Sequence, residues 1–422
     1  MTKTGRPAAN ATMLMLIVVS MFNYIDRTII SILQEPIKLE LGLSDAQLGA
    51  LTGLAFALFY ATLSLPIARI ADSFNRKYLI AASLFVWSAM TALCGFAESF
   101  LVLLFLRIGV AIGEAGSVPA SHSVIADLFP VERRATALSM WGLALPFGIL
   151  AGYAGSGWLT EWLGWRESFF VFGLAGIALV PIFLLVTKEP KRGQLDAQVE
   201  DQAAIPILRA VKILWDNRIA RLIIIGASLH AFTQYSIMTW SAPFYIRVWD
   251  ASVGEVATAL ALINGIGGGL GIYFGGWLSD RLAIRYPAAR LWVSACAFCL
   301  FVLTCMAQLL VPSVIASYAL GFFATGFMFC YYGPVVGTLQ SLVHPRMRAT
   351  ASAVLLLVFN IVGLGLGPFL TGVWSDWLYD AGLADTSLRY ALLLSLVGSV
   401  IAAWCWWRAS RHLITQPEPS PL

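Results

Sequence analysis

Twelve apolar segments, each long enough to cross a bilayer, follow one another along the 422-residue chain with short polar breaks between them. A crossing helix needs about 20 predominantly apolar residues, and inside lipid every backbone N–H and C=O must be satisfied within the segment. Continuous apolar runs meet that demand only as helices, because barrel strands would alternate. The expected spans are 12–33, 47–68, 78–97, 100–126, 135–157, 167–187, 219–246, 253–276, 291–310, 313–340, 349–371 and 388–408. With 59% hydrophobic residues, 12% charged residues and a mean hydropathy of +0.79, little chain remains for an extramembrane domain.

Lys3 and Arg6 precede the first apolar run with no small-residue cleavage site after it, which reads as a retained first span. Of the 27 lysines and arginines, 21 fall in segments that share a side with the N-terminus. Only Lys38, Arg166, Arg247 and Arg389 fall in the opposite loops. The excess of basic residues marks the cytoplasmic side, so both termini are expected there. Short loops fit a bacterial inner membrane. The expected organisation is a six-helix bundle over 1–187, a polar linker over 188–218 with an amphipathic stretch near 207–215, and a second bundle over 219–422.

The two bundles repeat one another. Ser44 to Gly53 resembles Ser252 to Ala261, and Asp72 matches Asp280, both at an offset of 208. Arg134-Ala-Thr-Ala recurs from Arg348 at an offset of 214, and Gly157 to Trp162 recurs as Gly372 to Trp377 at 215. Equivalent loops lie on the same side in both copies, so the fold is all-α, with twelve transmembrane helices in two parallel, pseudo-symmetric bundles.

The six cysteines all lie in apolar segments, which excludes a disulfide framework. Cys296 and Cys299 have metal-site spacing but lack further ligands, so no metal is expected. Gly265 to Gly275 follows no strand, and no GxxxxGK[ST] loop is present; neither a nucleotide nor another cofactor is expected. Glycines in spans five, eight and eleven suit close helix approach.

Four ionisable residues stand deep in the first half: Asp26 and Arg27 in span one, Arg107 and Glu114 in span four. A charge at mid-bilayer costs about 2.5–3.5 kcal/mol on insertion scales, so its default reading is functional, with a purely structural ion pair as the alternative. At about 1.5 Å rise per residue, Asp26 lies roughly 21 Å up span one and Arg107 roughly 10 Å down span four. In a core of about 30 Å these depths match, which predicts that the two are neighbours. Glu114 lies about 10 Å beyond Arg107 on nearly the same helix face, a second and deeper protonation site.

The loops Pro66 to Lys77 and Gly276 to Arg285 resemble the signature loops of the major facilitator superfamily, with Ala68 and Asn75 replacing two glycines in the first copy. Asn75 tolerates a left-handed turn there. Asp72, Arg76, Lys77 and Arg134, with Asp280, Arg281 and Arg348 in the second copy, are the expected latch of one facing state. Asn23-Tyr24-Ile25-Asp26-Arg27, Gly113-Glu114-Ala115 and Ala126-Asp127-Leu128-Phe129-Pro130 resemble the spinster branch of that superfamily. The resemblance implies transport of a lysophospholipid or sphingoid lipid phosphate, with proton coupling through Asp26 and Glu114. Arg27 and Arg107 are then partners for those carboxylates or for a phosphate headgroup, which an arginine fork binds bidentately.

The second half lacks such charges. The repeat puts Gln234 and Tyr235 at the positions of Asp26 and Arg27, and the mid-depth polar groups of spans ten and eleven are mostly Tyr331, Tyr332 and Asn360. With Asn23 and Tyr24 these complete the expected substrate-binding set, and the asymmetry suits a charged head and an apolar tail. His230 reads as a hydrogen-bonded packing residue, with a group titrating at about pH 6–7 as the alternative. A secondary, proton-coupled transporter of an amphipathic lipid is therefore expected, working as a monomer by alternating access among membrane lipids, with no nucleic-acid partner. The alternative substrate is a small organic anion or drug-like compound. The deep residues offer no nucleophile with a base and no metal cluster, so an enzyme is not expected.

Overall fold

The computed structural model describes residues 6–192, 207–286, 288–343 and 347–415. Among them are twelve helices long and apolar enough to cross a membrane, in the expected order. Part of the expected linker, 193–206, and the tail beyond 415 lie outside the described residues. The chain divides into two compact units: unit 1 takes Met1–Asp201 and Ser252–Ala261, and unit 2 takes Gln202–Ala251 and Leu262–Leu422.

Span one departs most from its expected bounds. It belongs to a helix running Arg6–Leu41, about 54 Å at 1.5 Å per residue. Hydropathy marks where lipid ends; backbone hydrogen bonding continues through the polar turn that holds Gln34, Glu35 and Lys38. The helix stops at Gly42, whose φ of 63° is the left-handed conformation a glycine adopts without penalty. Ser44 then opens span two with a reciprocal cap: its hydroxyl accepts from the N–H of Gln47 at 3.2 Å, and Gln47 Oε1 accepts from the N–H of Ser44 at 2.9 Å. Lys38 Nζ reaches back to Asp45 Oδ1 at 2.5 Å. In the repeat, Ser252 accepts from the N–H of Glu255 at 3.2 Å.

The repeat extends to the helix irregularities. Span two passes through a π-helical turn at Ala50–Leu54 and span eight through one at Leu262–Gly267. Span four breaks between Phe100–Glu114 and Ser117–Leu128, and span ten between Val314–Phe329 and Tyr332–Ser341. Each break falls beside a site residue, Glu114 in one copy and Tyr331 in the other. Such turns shift the helix face and are concentrated at functional positions.

Glycines set the packing within each unit. A Cβ on Gly148 or Gly152 would meet Tyr24 or Thr28 of span one at 2.7 and 2.0 Å, and one on Gly363 or Gly367 would meet Ala231 or Phe232 of span seven at 2.7 and 2.6 Å. Span eight's Gly271 and Gly275 lie against carbonyls of Gly326 and Cys330 in span ten, where a Cβ would stand 2.1 and 2.2 Å away. Close packing against span ten is what Gly271 and Gly275 provide. Trp87, Tyr153 and Phe169 are buried in unit 1, and Phe298, Trp406 and Leu339 in unit 2.

Asn75 corrects an expectation. Its φ of −69° and ψ of 115° are extended, and its side chain accepts from the N–H of Tyr78 at 3.2 Å as the cap of span three. An asparagine oxygen satisfies an orphan helix donor, so a left-handed turn is not needed. The side chain of Ala68 lies outside the described residues.

Candidate functional site

The four deep charges of unit 1 meet as two crossed ion pairs. Arg107 Nη1 donates to Asp26 Oδ2 at 3.1 Å, the neighbour relation that matched depths imply. Arg27 Nε donates to Glu114 Oε2 at 2.8 Å. The crossing follows from helix geometry: Asp26 and Arg27 point about 100° apart on one turn, while Arg107 and Glu114 lie on one face of span four. Asp26 also accepts from the hydroxyl of Thr91 in span three.

Asp26, Arg107 and Glu114 are buried, whereas the Arg27 side chain keeps 23% of its surface exposed. Span two supplies the floor. Phe56 and Tyr60, stacked at 5.6 Å, face the Arg27 guanidinium at 5.0 and 4.7 Å, and Phe56 also lies 5.9 Å from that of Arg107. These cation–π contacts stabilise the guanidiniums without using their in-plane donors.

Several polar atoms remain unsatisfied. Glu114 Oε1, Arg107 Nε and Asn23 Nδ2 are buried without a hydrogen-bond partner. Buried polar groups are nearly always bonded, and a ligand or an unseen water is the usual reason when they are not. Beside Asp26, a void of about 10 Å³ is lined by Ser88, Thr91 and Trp87, close to the room one water needs.

Unit 2 carries a different site. A cavity of about 290 Å³ is lined by Tyr331, Tyr332, Val335, Val336, Leu355, Leu356 and Phe359, with Ala227 and Ser352. Tyr331 donates its hydroxyl to Gln234 Oε1 at 2.9 Å, and Tyr235 meets Phe359 edge-on at 5.7 Å. Asn360 is half-buried in the π-helical stretch Phe359–Leu366. His230 is fully committed: Nδ1 pairs with Ser399 Oγ and Nε2 with the carbonyl of Met328, both at 2.9 Å, and the ring stacks on Phe298 at 3.7 Å.

The residues expected to form a latch fall into separate groups. Arg76 is buried between Asp127 and Glu189, bonding the former through Nη1 and the latter through Nε at 2.8 Å; it also donates to Ser123 Oγ and to the carbonyl of Pro190. Lys77 offers its backbone N–H to Glu189 at 2.9 Å. Arg134 donates to the carbonyls of Ala126 and Phe129. In unit 2, Asp280 pairs with Arg290 at 3.1 Å and Arg281 stacks on Trp277. The side chains of Asp72 and Arg348 lie outside the described residues.

Sequence reasoning missed Thr91, Phe56, Tyr60 and Glu189. The i, i+4 spacing of Phe56 and Tyr60 signals only a shared helix face; their role depends on which arginine lies opposite. No group of three or more potential metal ligands occurs among the described residues.

Residues 16–368 match the family model of the Major Facilitator Superfamily. An MFS-type efflux pump of Mycolicibacterium smegmatis is 35% identical over 424 residues, covering 96% of this chain and 94% of the relative. The Drosophila melanogaster protein spinster is 28% identical over 411 residues, covering 93% of this chain and 67% of that protein. Among solved structures, a bacterial homologue of the human lysosomal transporter spinster superposes with a TM-score of 0.87 at 30% identity, covering 98% of this chain and 99% of the other. With twelve spans and bacterial relatives, this is an integral protein of the bacterial inner membrane, a transporter and not an enzyme. The chain belongs to the Major Facilitator Superfamily and is related to its spinster proteins.

Proposed function

We propose that the protein is a proton-coupled transporter of an amphipathic lipid anion, of the lysophospholipid or sphingoid-phosphate kind, working by alternating access. The observation that carries this reading is the pair of crossed carboxylate–arginine bridges buried in unit 1. Each arginine holds one carboxylate in a low-dielectric site, so a substrate phosphate and a carboxylate compete for the same donors. When Asp26 or Glu114 takes a proton, its arginine is released to the phosphate, which makes proton and anion binding mutually reinforcing. The orphaned Nε of Arg107 and the exposed face of Arg27 are the donors at hand. Unit 2 supports the lipid part of the reading: its cavity is walled by aliphatic and aromatic side chains and suits an alkyl chain.

The second reading is a small organic anion or drug-like compound, and its anion form is favoured by a Bacillus subtilis relative named a probable galactarate/D-glucarate transporter, 32% identical over 295 residues. Proteoliposomes loaded with labelled lysophosphatidic acid or a labelled dicarboxylate, with and without a proton gradient, separate the two. Lipid movement that rises with the gradient in wild type and loses that dependence in Glu114→Gln is the expected result. Movement of the dicarboxylate alone overturns the lipid reading. Transport indifferent to both pH and Glu114→Gln overturns the coupling.

A further inference from the structure

One end of unit 2 carries an arc of arginines laid on exposed aromatic rings. Along span twelve, Arg408 lies over Trp404 and Arg411 over Trp407, each guanidinium 5.6 Å from the ring centroid and each one helical turn along. Arg281 stacks on Trp277 at 5.3 Å, and Arg285 lies 5.9 Å from Tyr286, at the end of span eight. Arg221 lies 5.9 Å from Trp215, where the linker helix Ile207–Asp216 meets span seven. The five rings are between 46% and 54% exposed. Spans seven, eight, nine and twelve bring them to one side of the unit, and Trp292 of span nine is pinned to span twelve by a bond to Ser410 at 3.0 Å.

The chemistry is one-sided. Arg209, Lys212 and Arg218 add further exposed charge, against Asp216 and Asp280, and Asp280 is taken by Arg290. Among the described residues, none of Arg221, Arg281, Arg285 and Arg408 has a carboxylate partner. Unit 1 treats its basic end differently. There Arg76 is buried between two carboxylates and Arg134 is given to carbonyls, and no ring-stacked arginine occurs among the described residues of that end.

We propose that this arc is a binding surface for anionic phospholipid headgroups of the adjoining leaflet. Tryptophan sits at headgroup level, its body in the acyl region and its N–H toward water. Attraction between a guanidinium and a ring face uses none of the N–H donors, which stay available in the fork geometry that matches a phosphate; at Arg221 one of them, Nη1, goes to the carbonyl of Trp215 at 3.0 Å. Span twelve shows the required layering, with lipid-facing Val400 and Ile401, then Trp404 and Trp407, then Arg408 and Arg411. A free anion in water gains from the charges alone; a lipid headgroup gains from the rings as well. The surface is separate from the deep site of unit 1, and the inference does not rest on the proposed substrate.

The test is equilibrium binding to full-length protein in nanodiscs of phosphatidylcholine, titrated with labelled phosphatidylglycerol. Near an anionic surface each basic residue contributes about 1 kcal/mol, so Arg408→Gln with Arg411→Gln is expected to weaken the preference for phosphatidylglycerol about 30-fold. Trp404→Leu with Trp407→Leu, which leaves every charge in place, is expected to weaken it about fivefold. The control pair Arg69→Gln with Arg133→Gln removes the same charge from the exposed basic end of unit 1 and is expected to change it less than twofold. An equal loss in the control pair means bulk charge alone and overturns the proposal. So does an unchanged preference in both span-twelve pairs, or capture of soluble polyglutamate with no lipid preference.

Discussion

Replacing Asp26 by asparagine keeps the side chain's shape and removes the charge that faces Arg107. Arg107 is 1% exposed, so its guanidinium is held away from bulk water. Breaking one partner of a buried ion pair costs about 3–5 kcal/mol, because the other charge stays buried and uncompensated. Thr91 remains able to bond the asparagine, so the loss falls on the charge itself. Unit 1 has about two hundred residues, a size at which 1 kcal/mol moves a melting midpoint by about 2–4 °C, so a drop of roughly 10 °C in apparent midpoint is expected. Arg107→Met alone strands Asp26 in the same way. Together the two substitutions remove both charges, and the double variant is expected to recover most of the loss, a coupling of at least about 2 kcal/mol. Differential scanning fluorimetry of the four proteins in one detergent measures the cycle. Simple additivity would refute the reasoning, since it would mean that the pair seen at 3.1 Å carries no interaction.

Filling the unit 2 cavity with Leu356→Trp is expected to slow transport of long-chain lysolipids at least tenfold while sparing short-chain analogues, read as initial rates in proteoliposomes. Gly173→Ala puts a methyl 2.4 Å from the backbone nitrogen of Ala92 and is expected to destabilise the protein by about 1–3 kcal/mol, whereas Gly337→Ala meets nothing within 4 Å and is expected to be neutral in the same melting assay. His230→Leu strands the carbonyl of Met328 and the hydroxyl of Ser399; it is expected to lower the melting midpoint and to leave the pH profile of transport unchanged, so a shifted profile would give this histidine a titrating role.

Hydropathy alone determined twelve spans and their order, because lipid leaves a backbone no choice but the helix and because each span is a local property of about twenty residues, and recurring motifs at a near-constant offset determined the duplicated halves. The deep charges were legible for the same reason: an arginine in an apolar run is costly wherever it points, and helix rise gave its depth. Which carboxylate each arginine takes was a matter of tertiary structure. Glu114 pairs with Arg27 across two helices, and the pairing depends on rotation and side-chain reach, which spacing does not encode. The same holds for Phe56 and Tyr60, ordinary lipid-compatible aromatics in sequence that become the floor of a charged site once span two packs beside spans one and four. Asn75 shows the limit at a single residue: its type suggested a left-handed turn, and the path of the chain into span three makes it a helix cap instead. The cavity of unit 2 is tertiary throughout, since Tyr331 and Phe359, each at a helix irregularity of a different span, come to line one space.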